Sequence, residues 1–312
     1  MKIEINRLDQ WESTNQNISE FLKIQNPVRC YKGLSHAIYE LTTGISQFLE
    51  YKNSLTWVKG WSFAFDFVSP YFFKQGFQIT PVGSSALADS KNFISGLNKD
   101  TLFVLSFANH PITAETIDLA AIDKALNDKK IYHIIVDHHA GSLKTEPSAY
   151  TCLINSIDDQ LAVAILGSRF KPAVQMAHKM SWEQDQVLAL VQKNLNPMIS
   201  KQTVLDFEGN LPQGFSAFLK TEHRIFDRAV VYSTEANADA MIQWLMAKNK
   251  ISQTAAVTTS PCHWGLMADY KDWWDGPISE PVLRGMVILD AAALDKIKPQ
   301  DLQAAAKGIQ DL

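Results

Sequence analysis

Three nearly uninterrupted apolar runs constrain this chain most: "DTLFVLSF" at 100–107, "IYHIIVD" at 131–137 and "QLAVAILG" at 160–167. None alternates polar with apolar residues, so each predicts a strand covered on both faces. Between the first two, "ETIDLAAIDKALNDKK" (115–130) has helical apolar spacing and a basic last turn. Residues 35–50 repeat helical spacing after a serine suited to capping, and 54–60 and 76–82 predict two more strands. This alternation predicts an α/β fold with a mostly parallel sheet flanked by helices. In such sheets ligands sit at the carboxyl ends of the strands. The pattern places the Gly60–Ser62 turn, Asn109, Asp137 and the Ser168–Lys171 segment at those ends.

The second half changes character. A strand at 223–234, a helix at 235–250, a strand at 281–289 and a helix at 298–312 predict a smaller C-terminal α+β domain. The expected organisation is an N-terminal segment 1–30, a large domain 31–210 and a small domain 211–312. A net charge of −4 leaves no basic footprint, which argues against nucleic acid as a partner. No apolar run approaches the ~20 residues of a membrane helix, so no membrane association is expected. The opening "MKIEINRLDQWEST" lacks a signal-peptide core. Cys30, Cys152 and Cys262 are widely spaced and form no CxxC pair, which fits reduced thiols in a cytoplasmic protein.

The chemistry concentrates in "IYHIIVDHHAGSLK" (131–144), where a buried strand delivers Asp137, His138 and His139. One reading is an Asp-His-His metal-dependent phosphoesterase. Two divalent ions would need further carboxylates at other strand ends, and residues 1–130 contain no Asp-x-Asp. No metal ligand is therefore assigned. The other reading makes Asp137 the counter-charge of a pyridine-type cofactor, holding its ring nitrogen protonated. Lys171 would then form a Schiff base with an aldehyde. Ser62 and Ser168 would meet a phosphate, and Asn109 a ring hydroxyl. These parts amount to a pyridoxal 5'-phosphate (PLP) site.

The order and spacing of these residues resemble the fold-type I PLP enzymes, the aspartate aminotransferase superfamily, as a divergent member. Asn109 precedes Asp137 by 28 residues, and Asp137 precedes Lys171 by 34. "SFANHPITAETID" (106–118) is similar to the family's Asn-Pro-Thr-Gly segment, with His110 intruding and the glycine replaced. "SRFK" (168–171) resembles its Ser-x-x-Lys, and "GWS" (60–62) its phosphate-cradling turn. "PVLRGMVILDAAAL" resembles the strand whose arginine, here Arg284, clamps a substrate carboxylate.

The resemblance implies PLP as cofactor and Lys171 as catalytic lysine. It makes Asp137, Asn109, Ser168, Ser62, Trp61 and His139 cofactor-binding residues and Arg284 substrate-binding. Tyr71 and Phe72 are further candidates for stacking on the ring, and Lys144 and Lys179 rank below Lys171. It also implies a homodimer acting on an amino acid or amine. Transamination is the default reaction, and lyase, decarboxylase and desulfurase chemistry use the same parts. A non-catalytic PLP-fold binding protein is the alternative.

Overall fold

The apolar runs form the middle of a seven-stranded sheet with strand order β1-β7-β6-β5-β4-β2-β3. Its strands are β1 (Val28–Tyr31), β2 (Ser54–Val58), β3 (Gln78–Val82), β4 (Thr101–Phe107), β5 (Tyr132–Asp137), β6 (Thr151–Ser156) and β7 (Ala162–Leu166). The computed structural model describes residues 15–46, 54–58, 72, 74, 76–82, 89–109, 116, 118–138, 143–157, 161–170, 184–195, 199–218, 224–252, 256–258 and 280–310. They fall into two units, one drawn from 1–110 and 117–196, the other from 111–116 and 197–312.

In the first unit β3, β2, β4, β5 and β6 run parallel. β7 pairs antiparallel with both β6 and β1. The predicted α/β architecture with a mostly parallel sheet is present. Burial on both faces explains the continuous apolar runs: every residue of β7 is buried, and all of β4 except Leu102. Ile135, Leu153, Val163 and Ile165 pack with Ile18 and Leu22 of a helix at 15–22 and with Val187 and Val191 of the helix Gln184–Leu195. Each such side chain contributes about 1.5–3 kcal/mol by leaving water. The helix Leu119–Asp128 opens on Asp118, whose carboxylate accepts from the Ala121 N–H, and it buries Ile122 and Leu126.

Two strands differ from the expectation. β1 is short, and β6 reads "TCLINS", a mixture that the apolar pattern does not reveal. Yet Thr151, Cys152, Leu153, Ile154 and Asn155 are all buried. β6 occupies the place beside β5 and turns back into β7, with the Ile157 N–H donating to the Leu161 carbonyl at 2.9 Å. That hairpin makes β7 antiparallel, so its carboxyl end lies at the edge opposite to those of β4, β5 and β6.

The second unit holds an antiparallel sheet, β10-β11-β9-β8, of β8 (Ser216–Ala217), β9 (Arg228–Tyr232), β10 (Ala256–Thr258) and β11 (Met286–Asp290). Its core joins Val231, Val287 and Leu289 to Val204 and Phe207 of the helix Lys201–Gly209. Met241 and Leu245 of the helix Ala238–Ala247 and Leu302 of the helix Pro299–Gln310 complete it. The strand expected at 281–289 is instead a short helix, Glu280–Arg284, followed by Gly285 and β11. A side chain at Gly285 would overlap the Ser233 carbonyl oxygen, so only glycine fits where the helix meets the strand.

Candidate functional site

Two parallel strands bring Asn109 and Asp137 together. Asp137 closes β5, and just past β4 the Ala108 N–H donates to the Val136 carbonyl at 2.8 Å, extending the ladder by one residue. The Asn109 Nδ2 then donates to Asp137 Oδ1 at 2.6 Å. Both residues are 1% exposed. A carboxylate this deep needs hydrogen-bond partners in place of water, and Asn109 supplies one. Asn109 Oδ1 is buried and has no hydrogen-bond partner among the described residues. An acceptor left open beside a buried carboxylate suits a ligand that brings donors, such as a protonated ring nitrogen or a ring hydroxyl.

Sequence reasoning missed Asn155. It lies on β6 directly in register with Asp137 and is fully buried. The visible signal was an amide near the end of "TCLINS", two positions before a turn. Asp137 therefore accepts from one amide, Asn109, and stands level with a second, Asn155. Among the described residues no group of three or more His, Cys, Asp or Glu could hold a metal ion. His138 follows Asp137 and is half-buried, while His139 lies outside the described residues.

Ser168 is corrected by the topology. The Gly167 N–H donates to the Thr151 carbonyl at 2.7 Å and the Arg169 N–H to the Ala149 carbonyl at 2.8 Å. Thr151 is level with His133, four residues before Asp137 on β5, a separation of roughly 13 Å along the strand. Ser168 thus stands at the edge opposite to Asp137 and is exposed, so it is not in place to meet a phosphate held there. Lys171 lies outside the described residues, but its predecessor Phe170 packs edge-on against Tyr132, the first residue of β5, with ring centroids 6.0 Å apart. The chain approaches Lys171 from the far side of the sheet. Lys144 is exposed, and Lys179 lies outside the described residues.

Trp61, Ser62 and Tyr71 also lie outside the described residues. β2, which ends at Val58, is parallel to β4, so the segment leading to Trp61 and Ser62 departs from the same edge as Asn109 and Asp137. Phe72 is corrected: it is 1% exposed and packs on Phe77 and on Phe103, in the amino half of β4. Arg284 is exposed at the end of its helix, not buried in a strand, so the expectation that burial forces a carboxylate partner on it falls away.

Beneath the site, Ser106 Oγ and His133 Nε2 lie 2.6 Å apart and are fully buried. Burial pushes the His133 imidazole down to about 3, so it is neutral and anchors β5 to β4. Cys30 and Cys152 lie inside the sheet, and burial pushes Cys30 up to about 12 and Cys152 well above its ordinary range. Neither is a thiolate nucleophile.

No sequence-family profile and no curated protein sequence matches the chain. Solved structures do match. A NifS-like protein aligns with 98% of this chain and 88% of its own at 10% identity, with a TM-score of 0.72. The fold is that of the fold-type I PLP enzymes. The cysteine desulfurase CsdA from Escherichia coli aligns over 98% of this chain and 84% of its own, at 11% identity and a TM-score of 0.68. A 3-amino-5-hydroxybenzoic acid synthase aligns over 97% and 90%, at 12% identity and a TM-score of 0.58. The resemblance read from the sequence therefore holds at the level of fold.

Proposed function

We propose that the protein is a PLP-dependent enzyme acting on an amino acid or amine, with transamination as its reaction. The observation that carries this reading is the buried Asp137 at the carboxyl end of β5, held by the Asn109 amide, in a fold of this type. Bound there, PLP supplies an electron sink for the α-carbon of a substrate amine. Asp137 would hold the proton on the ring nitrogen. Asn109 fixes the orientation of that carboxylate, and its Oδ1 would accept a donor from the ring. The segment after β2 carries Ser62 for the phosphate and Trp61 for the ring face. A homodimer is the assembly we expect.

The reaction also needs a lysine to move the α-proton. We take Lys59, the residue after β2, ahead of Lys171 for this role, because β2 ends at the edge that holds Asp137. Borohydride reduction of PLP-loaded protein, followed by peptide mapping, tests this. Label on Lys59 is the expected result. Label on Lys171 would show that the chain after Phe170 returns to this edge. Bound PLP without a covalent label favours the non-catalytic reading, and no PLP uptake overturns the proposal.

Desulfurase chemistry is the second reading, motivated by CsdA. With Cys30 and Cys152 buried in the sheet, its thiol would have to be Cys262. Sulfide release from cysteine that is lost in Cys262→Ala separates it from transamination, which Cys262→Ala should leave intact.

A further inference from the structure

The second unit contains a buried guanidinium whose hydrogen bonding is incomplete. The Arg224 side chain is 2% exposed and that of Glu208 is 8% exposed. Arg224 Nη2 donates to Glu208 Oε2 at 2.5 Å. Among the described residues, the buried Arg224 Nε and Nη1 have no hydrogen-bond partner, and neither does the buried Glu208 Oε1. A guanidinium offers five N–H groups in a rigid fork suited to carboxylates and phosphates. A guanidinium with two of its nitrogens buried and unpaired is costly, because the lost water is not replaced. A one-point ion pair does not offset such a penalty by itself.

The surroundings position the fork. The guanidinium carbon lies 4.8 Å from the centre of the Phe226 ring, and Lys201 Nζ lies 4.8 Å from the same centre. Phe226 is half-buried and Lys201 is exposed, so the cluster lies just under the surface. Burial raises the Glu208 carboxyl above its ordinary value even with Arg224 beside it, as expected where polar partners are scarce.

We propose that Arg224 forms a binding site for the oxyanion of a small ligand, a carboxylate or a phosphate group, which takes its Nε and Nη1 hydrogens. Glu208 holds the guanidinium plane in position through Nη2. The site is built within the second unit alone and is independent of the PLP reading.

The test follows thermal unfolding of the full chain while sodium phosphate or sodium succinate is titrated against sodium chloride at matched ionic strength. One of the two anions should raise the Tm saturably, and which one does so identifies the group. Arg224→Gln should weaken that response at least tenfold. Glu208→Gln should strengthen it several-fold, because it removes a negative charge next to the incoming oxyanion. No anion-specific shift in the wild-type protein, or an unchanged response in Arg224→Gln, would leave only a structural ion pair and overturn the proposal. If Arg224→Gln does not fold, Glu208→Gln decides: a response no stronger than wild type counts against the site.

Discussion

Asn109 matters through the carboxylate it holds. Because its Nδ2 is committed to Asp137, replacing it with alanine leaves a buried carboxylate one hydrogen bond short, a loss of about 1–3 kcal/mol. Asn109→Ala should therefore bind PLP roughly tenfold or more weakly by fluorescence titration, since 1.4 kcal/mol is a factor of ten. An unchanged affinity would place the cofactor elsewhere. His133 makes a different prediction. Its folded value is about 3, against an ordinary value near 6.5, so between those limits the unfolded chain binds the extra proton. Stability is complete above about pH 6.5 and falls steadily as the pH drops toward 3. Denaturant midpoints measured across that range should show this slope, and His133→Phe should flatten it. Asn109 and Asp137 were legible in the sequence because each ends a continuous apolar run. Asn155 was not, because "TCLINS" gives no apolar run to end.

At the scale of elements, the hairpin of β6 and β7 decides which residues can meet. Apolar content identifies β7 as a buried strand, but direction depends on its neighbour, and β6 hides its burial behind threonine, cysteine and asparagine. Ordered spacing from Asn109 to Asp137 survives because both follow parallel strands. The spacing onward to Ser168 and Lys171 does not, because it crosses the reversal. Ser168→Ala should therefore leave PLP affinity unchanged within a factor of two, whereas a large loss would contradict the strand order. Gly285 marks a second reversal hidden from sequence. "PVLRGMVIL" looks like one strand, and the close approach of Ser233 at the glycine splits it into helix and strand. Gly285→Ala should lower the Tm by several degrees, since the added methyl must displace backbone. The Arg284 assignment rested on that undivided strand.

For the whole molecule, the sequence pattern gave the class of fold and the sheet that carries it, and alignments spanning nearly the full chain agree with that reading at 8–12% identity. So low an identity transmits architecture, while chemistry depends on the residues at the strand ends. Here those are a carboxylate flanked by two amides. The most direct measurement is a titration of the purified protein with PLP, followed by visible absorbance and compared between wild type and Asp137→Ala. The wild type should show saturable uptake with a visible band. In Asp137→Ala, binding should be at least tenfold weaker with the fold intact by circular dichroism. Protein that takes up no PLP, or Asp137→Ala that binds it as the wild type does, would contradict the assignment of Asp137 as the group that receives the ring.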